Sequence, residues 1–301
     1  MSGGLYLSRL LFDPTKHDQL KYLNVGCGTV IVNSPEWMNL DINSSHEGVL
    51  DSTLSELLEG GFAGKFQAVY CSHLIEHLTR NDLLNFLSDC SQLLQSGGGI
   101  RLVTPDFDSI ITNYSEELMA GNIDRSAFEK LLLLEQCVRL QPSGSYRGDI
   151  KELVKSSPSL ADYISERTGD SPAGMKRYSF VGKKNKSVFA RLSRARLRFS
   201  KKLRRQYLRA LKVILPASLK DNVALTDAGE RHQWIYSFFE LELIGRNLGF
   251  AKVEKVDGYE TKIFNRDHVQ VLDLNSDGGL RKGTHSMYVE FYSLTGSVGT
   301  V

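Results

Sequence analysis

Short apolar runs and amphipathic segments alternate along the first 110 residues, and this alternation constrains the fold more than any other feature of the chain. The runs with the length and composition of buried strands are Lys21–Val25, Trp37–Ile42, Phe66–Cys71 and Ile100–Val103. Before the last of them, Asn81–Leu94 has apolar residues at helical spacing, and the glycine-rich residues 96–99 are expected to end that helix. Strands that alternate with helices predict a parallel sheet with right-handed crossovers.

The rest of the chain divides into a helical middle and a second α/β portion. Residues 107–170 are predicted to be mainly helical, with Ala127–Leu140 the clearest case. A further helix, Phe238–Leu248, ends at a glycine and precedes two predicted strands, Ala251–Val256 and Met287–Ser293. We therefore expect one α/β domain formed by residues 1–110 and 231–301, interrupted by a helical insertion of residues 111–230.

Charge is distributed unevenly along the 301 residues. Residues 171–220 hold 16 of the 37 lysines and arginines and none of the 35 acidic residues, although the net charge is only +2. The sequence has no apolar run long enough to span a membrane and no signal-peptide pattern at Met1–Leu11. Four cysteines without a Cys-x-x-Cys pair indicate reduced thiols. These features predict a cytoplasmic protein with a basic interaction surface.

The basic segment has the pattern of an amphipathic helix over residues 186–215. Its apolar positions recur every three or four residues: Val188, Leu192, Ala195, Phe199, Leu203, Tyr207, Ala210 and Ile214. An apolar stripe within a cationic helix favours binding to an anionic membrane, which would place the protein at the inner membrane face. Two alternatives stay open, namely packing of the stripe on the protein's own acidic body and binding of nucleic acid.

A glycine turn and an acid follow the first two predicted strands. Gly26 and Gly28 allow a close approach of the backbone to a ligand, and Asp41 ends the next strand on the ligand side of a parallel sheet. A nicotinamide-binding turn would need a third glycine and a helix, but Val30 and the segment 33–35 (Asn-Ser-Pro) stand there. The pattern therefore disfavours a dinucleotide site.

The order LNVGCG, NLDIN, VLDST, VYCSHLIEHL and LLQSGGGIRLVTPD resembles class I S-adenosylmethionine (SAM) dependent methyltransferases. It is most similar to the bacterial methyltransferase type 11 group associated with surface-polysaccharide biosynthesis. The resemblance covers residues 20–114 and resumes less clearly at residues 231–257. It implies an α/β fold with a Rossmann-like, mostly parallel sheet and an antiparallel last strand, SAM as the cofactor, and a sugar or lipid-linked glycan as the acceptor.

The resemblance also implies roles for individual residues. Those expected to contact the cofactor are Asn24, Gly26, Cys27, Gly28, Asp41, Asp51 and Ser72. Within this set, the glycine turn faces the methionine end, Asp41 the ribose and Asp51 the adenine. The chain departs from the family pattern in having Asn24 at the position of the usual acid and Val30 at the usual third glycine. Because only 12 residues separate Gly28 from Asp41, the first crossover helix must be short or absent.

The segment His73–His77, His-x-x-Glu-His, contains the side chains best suited to acid–base chemistry. An oxygen acceptor must lose a proton during methyl transfer, and the candidate bases are His73, His77 and Asp106, in that order. No metal is predicted, but the ligand candidates would be His73, Glu76, His77 and His232. The same pattern occurs in inverted zinc peptidases, which would need it inside a helix. Two other functions stay open: RNA methylation through the basic segment, and a SAM-type scaffold without activity.

Overall fold

The computed structural model describes residues 18–42, 44, 46–138, 146–171, 206–208, 210–211, 213–216 and 231–294. The predicted basic helix at 186–215 lies mostly outside these residues, and its membrane role stays a prediction. None of the described helices is both long and apolar enough to cross a membrane. The chain forms two compact units, one of residues 1–105, 236–280 and 287–301, and one of residues 106–235 and 281–286.

Seven strands form one sheet. They are β1 (Tyr22–Val25), β2 (Trp37–Asp41), β3 (Val49–Asp51), β4 (Phe66–Ser72), β5 (Leu94–Pro105), β6 (Lys252–Val256) and β7 (Ser286–Tyr292). Their order is β3-β2-β1-β4-β5-β7-β6. The pairs from β3 to β5 are parallel, and β6 and β7 pair antiparallel. The expected Rossmann-like, mostly parallel sheet with an antiparallel last strand is therefore confirmed.

The helices separate by unit. The first unit contains α1 (Leu54–Glu59), α2 (Arg80–Leu93), α7 (Phe238–Asn247) and α8 (Arg266–Leu272). The second contains α3 (Phe107–Met119), α4 (Ile123–Val138), α5 (Tyr146–Ser156) and α6 (Leu160–Thr168). The prediction that residues 107–170 are mainly helical is confirmed. Hydroxyl side chains cap three helices of the first unit, at Thr53, Thr79 and Ser237.

No helix connects β1 to β2, as the short spacing predicted. Residues 26–36, all of them described, form turns and extended segments. The sheet face over these strands is covered by α8 and the segment before it. Rings of Phe264 and His268 pack on Tyr22 and Trp37, with centroid distances of 5.4 Å for Trp37–Phe264 and 4.8 Å for Tyr22–His268. The connection between β6 and β7 thus buries the apolar surface that a first crossover helix would bury in a doubly wound fold.

The prediction that the glycine run ends α2 is wrong. That helix ends at Leu93, and β5 starts at the next residue and continues through the glycines. A Cβ on Gly98 would lie 2.8 Å from the Gln67 carbonyl oxygen, and one on Gly99 would lie 2.6 Å from Ile263. These glycines are needed because neighbouring chain segments pack directly against the strand.

The second unit has its own core and a buried ion pair. Its apolar core includes Ile110, Phe128, Leu132, Ile150, Leu160 and Ile164. Arg167 donates from Nε and Nη2 to the two carboxylate oxygens of Glu129, at 2.6 and 3.0 Å. The backbone N–H of His285 donates to the Arg167 carbonyl at 2.9 Å, which holds residues 281–286 in this unit.

A fully buried arginine joins β5 to the long β6–β7 connection in the first unit. Arg101 donates to Asp273 and Glu290, each at 2.9 Å, and to the backbone carbonyls of Gly258 and Glu260. All three charged side chains are at most 1% exposed. Buried charges are tolerated only when they are paired and their remaining hydrogen-bonding groups are satisfied, and both carboxylates accept further bonds here.

We expect Arg101→Met to lower the free energy of unfolding by about 3–5 kcal/mol, because it leaves two buried carboxylates without their cation. Urea unfolding measures the change. Arg246→Met is the matched control, since Arg246 is 69% exposed and pairs with Glu242 on the helix surface; its effect should stay within about 0.5 kcal/mol. Equal losses for the two variants would show that the Arg101 cluster does not hold the fold together.

Candidate functional site

Two neighbouring strands at the centre of the sheet define the place where a ligand can bind. In the sheet, β1 has β2 on one side and β4 on the other. The ends of β1 and β4 are level, because Val25 pairs with Cys71. In open α/β sheets, ligands bind beyond the carboxyl ends of the strands where the strand order reverses in this way. Gly26–Gly28, which follow β1, and Ser72–His73, at the end of β4, therefore lie on either side of the switch point.

The glycine turn has a backbone that other residues adopt only with strain. Gly26 and Gly28 have φ angles of +62° and +53°. A Cβ on Gly26 would lie 3.1 Å from the Leu74 side chain, whereas one on Gly28 would meet no described heavy atom within 4 Å. Between them, Cys27 is buried, and burial, followed by the charge of Asp41, raises the pKa of its thiol to about 12. The turn thus presents open space in front of Gly28 beside an uncharged thiol.

Acids end the next two strands at the same edge of the sheet. Asp41 and Asp51 are register partners in the parallel pair β2–β3. The Asp41 Oδ2 atom accepts a 2.8 Å hydrogen bond from the Gly28 N–H, which ties the end of β2 to the glycine turn. Asp41 is half-buried and Asp51 is exposed. One carboxylate oxygen of Asp41 is thereby used to shape the turn, and the other is available for a ligand donor.

Asn24 is buried and pairs with another asparagine. Its Nδ2 donates to the Val30 carbonyl at 2.8 Å and to Asn39 Oδ1 at 3.1 Å. Asn39 in turn accepts from the Val32 N–H and donates to the Val32 carbonyl and to Gly48. The two amides hold the loop that replaces the crossover helix. Whether Asn24 also contacts a cofactor stays a prediction, but its amide group already donates to Val30 in the loop and to Asn39 in β2.

His73 lies at the end of β4 in a strained conformation. Its φ of +50° is the only positive value at a non-glycine residue in the described part of the chain. The backbone N–H donates to the Val103 carbonyl at 2.8 Å, and Nδ1 lies 3.1 Å from Glu76 Oε1. Glu76 is fully buried and accepts a longer, 3.4 Å hydrogen bond from the Thr104 hydroxyl. The two side chains are thus close enough for a charge interaction when the imidazole is protonated.

The His-x-x-Glu-His segment is not helical in the way that a zinc peptidase requires. His73 lies in a bend, and Ile75–His77 forms a single 3₁₀ turn before α2. His77 is half-buried at the end of that turn. The geometry therefore agrees with a strand-end loop held by Glu76 rather than with a metallopeptidase helix.

Asp106 and His232 belong to the second unit. Asp106 is buried and caps α3, since its Oδ1 accepts from the N–H groups of Asp108 and Ser109 at 3.1 and 3.2 Å. This is the helix-capping role that competes with a catalytic one at this position. His232 is also buried, with 3% of its surface exposed. Catalysis by Asp106 and metal binding by His232 stay predictions.

Sequence reasoning missed two residues that shape the site. Asn39 lies inside the NLDIN motif. Its buried side chain binds the backbone of Val32 in the loop between β1 and β2. That loop has no recognisable sequence pattern, so these bonds could not be predicted. Thr104 lies near the end of β5, and its hydroxyl donates to Glu76. The sequence HLIEHL does not indicate that Glu76 is completely buried.

Comparisons with known proteins give a likeness in fold. No family model matches the chain, and no curated protein matches it. A SAM-dependent methyltransferase from Archaeoglobus fulgidus is similar, at 12% identity and a TM-score of 0.35, over 96% of this chain and 94% of that one. PKMT2 from Rickettsia typhi, solved in complex with AdoHcy, is similar at 10% identity and a TM-score of 0.36, over 92% of this chain and 49% of its own. Likenesses at this level assign no residue a role.

We expect Asn24→Asp to destabilise the protein by about 3 kcal/mol at pH 7. The new carboxylate would face two oxygen acceptors, and Asn39 cannot rotate its amide without losing both bonds to Val32. Burial should raise the pKa of this new carboxyl, so the loss should shrink as the pH falls toward about 4 and the group is protonated in both states.

Urea unfolding at pH 7 and pH 4 measures both effects. The control is Asn81→Asp, the same chemical change at an exposed position in the first turn of α2. It should alter stability by less than about 0.5 kcal/mol. A variant Asn24→Asp as stable as the wild type would mean that the amide pair does not hold the loop.

Proposed function

We propose that the chain is a SAM-dependent methyltransferase that binds SAM beyond the carboxyl ends of β1, β2 and β4. The observation that carries this proposal is the bond between Asp41 and the Gly28 N–H at the switch point of the sheet. It joins a positive-φ glycine turn to a strand-end acid in the arrangement that holds an adenosyl group in doubly wound folds.

The residues at this edge fit the group. The space in front of Gly28 admits a ligand, and the close contact between Gly26 and Leu74 leaves no room for a side chain. Asp41 retains an oxygen for the ribose hydroxyls, and Asp51, its partner across β2–β3, would accept from the adenine end. The glycine turn, including Cys27, would face the methionine end, and Ser72 would lie below the sulfonium.

SAM supplies a methyl group already activated by its sulfonium, so the protein mainly positions the acceptor and removes its proton. The Glu76 carboxylate beside His73 Nδ1 favours the tautomer with a proton on Nδ1, which leaves Nε2 as the base. In the proposed reaction His73 Nε2 takes the proton of an acceptor hydroxyl, and the buried Glu76 stabilises the imidazolium that results.

A sugar or lipid-linked glycan is the acceptor that we propose, and its support is the sequence resemblance to the type 11 group. A hydroxyl acceptor agrees with a histidine base. Metal-assisted transfer is the competing use of the same side chains, because a metal on His73 would occupy the nitrogen that serves as the base. RNA methylation and an inactive scaffold remain as outcomes that the experiments below distinguish.

We expect calorimetry with S-adenosylhomocysteine to show one site in the wild type. Asp41→Ala should weaken binding by about 1–3 kcal/mol, because it strands the Gly28 N–H and the ligand hydroxyls. Asp267→Ala is the control: this exposed acid lies in α8, beside the His268 that packs on Trp37 at the opposite end of β2. No detectable binding by the wild type would refute the proposed function.

We expect His73→Ala to reduce methyl transfer by about 10²–10⁴-fold while S-adenosylhomocysteine affinity stays near that of the wild type. Glu76→Gln, which keeps the side-chain shape, should reduce transfer less. Transfer of a labelled methyl group to glycan and RNA acceptors measures activity, with and without exhaustive chelation. Loss of activity on chelation would replace the base by a metal role, transfer to RNA alone would favour the RNA function, and binding without transfer to any acceptor would favour a scaffold.

A further inference from the structure

The chain between β6 and α8 forms a pocket of about 340 Å³. Six residues line it: Val256, Tyr259, Glu260, Thr261, Lys262 and Arg266. All six lie in the first unit, and Val256 ends β6, the strand at one edge of the sheet. None of them is among the residues assigned above to SAM or to proton transfer. Small-molecule sites usually have volumes of about 300–1,000 Å³, so this pocket can hold one ligand of modest size.

The wall of the pocket is anchored to the buried charges of the sheet. The Glu260 carbonyl accepts from Arg101 Nη1 at 2.8 Å, and the Thr261 hydroxyl donates to Glu290 Oε1 at 2.6 Å. The Lys262 N–H donates to the other carboxylate oxygen of Glu290 at 3.1 Å. Both Arg101 and Glu290 are fully buried, so residues 260–262 are fixed to the core. A pocket whose wall is already ordered loses little conformational entropy when a ligand binds.

Positive charge predominates in the lining of this pocket. Lys262 Nζ lies 3.2 Å from Glu254, and the same carboxylate also accepts from Lys252, so two lysines share one acid. Among the residues that the structure describes, the guanidinium of Arg266 has no hydrogen-bond or ion-pair partner. A guanidinium can bind a phosphate through two parallel hydrogen bonds, and an ammonium adds a point charge. The two cations therefore favour an anionic ligand.

The other lining groups indicate that the ligand is larger than a simple anion. The Tyr259 side chain is 46% exposed, and its backbone N–H donates to Asp257 Oδ1 at 2.8 Å, which fixes the turn that carries the ring. Such a ring offers an apolar face on which the carbon atoms of a sugar can pack. Glu260 adds carboxylate oxygens, which repel a phosphate but accept hydrogen bonds from hydroxyl groups. A charged group, a ring face and hydroxyls occur together in a sugar phosphate.

We propose that this pocket binds a phosphorylated sugar. Arg266 and Lys262 bind the phosphate, the sugar ring packs on Tyr259, and Glu260 accepts hydrogen bonds from the sugar hydroxyls. The affinity comes from the charge-assisted bonds to the phosphate, and the selectivity for a sugar comes from the other two side chains. Because none of these residues is assigned to SAM, the proposal does not depend on the proposed function.

Calorimetry on the full chain with a panel of hexose and pentose phosphates tests the proposal. We expect at least one of these probes to bind at one site. Arg266→Gln should weaken that binding by about 10–100-fold, because it removes charge-assisted hydrogen bonds. The control is Arg246→Gln: Arg246 is also exposed but pairs with Glu242 on α7, and its substitution should leave the binding unchanged. Both arginines are on the surface, so both variants should remain folded.

A second comparison separates the contribution of the ring from that of the phosphate. Inorganic phosphate should bind more weakly than the best sugar phosphate. Tyr259→Ala should weaken the binding of the sugar phosphate by about 2–10-fold and leave that of inorganic phosphate unchanged. Tyr259→Phe keeps the ring and should retain the wild-type affinity for both probes.

Absence of binding by every sugar phosphate in the panel would overturn the proposal, and so would equal binding by the wild type and Arg266→Gln. Inorganic phosphate that binds as tightly as the sugar phosphates would overturn the assignment of a sugar, since Tyr259 and Glu260 would then contribute nothing. Failure of the proposed methyltransferase function is recognised separately, because it appears as absent S-adenosylhomocysteine binding by the wild type. Where S-adenosylhomocysteine binds, Arg266→Gln should not alter its affinity.

Discussion

The buried charge of Arg101 is the interaction on which the first unit depends. One cation in the middle of β5 is shared by Asp273 and Glu290, and its remaining donors bind carbonyls of the chain after β6. None of these bonds could be lost singly without leaving a buried charge or polar group unpaired. The cluster therefore holds the β6–β7 connection to the sheet in a single position, which an apolar contact of equal area would specify less strictly.

That connection makes the short β1–β2 loop tolerable. Without a crossover helix, Tyr22 and Trp37 would expose a large aromatic surface, and α8 covers them instead. The loop is then free to turn directly from β1 to β2, but its carbonyls need donors. Asn24 supplies amide protons where an acid would have none, so an asparagine suits this position when the helix is missing. The packing of the β6–β7 connection on Tyr22 and Trp37 and the asparagine at position 24 both accompany the missing crossover helix.

Local sequence patterns predicted the strands, helices and turns that depend on residues close together in the chain. The strands at the core of the sheet and the helices of residues 107–170 follow from apolar spacing and turn residues, and so do the glycine turn after β1 and the acid at the end of β2. The role of Gly98 and Gly99 was misread, because their neighbours come from chain segments far away in sequence. Arg101 and Asp273 showed no signal for the same reason: 172 residues separate them, and each alone resembles an ordinary surface charge.

The backbone conformation of His73 is unfavourable for stability, and it occurs at the candidate site. A glycine would adopt the φ of +50° without strain, whereas a residue with a side chain loses about 1–2 kcal/mol of conformational stability there. The strain persists because the bond to Val103 fixes the backbone, and the ring lies beside the buried Glu76. Burial of the Glu76 carboxylate is a further cost, since a carboxylate is stable in the core only with partners. Both costs arise at His73 and Glu76. These residues lie beside the switch point of the sheet, which is where ligands bind in open α/β sheets.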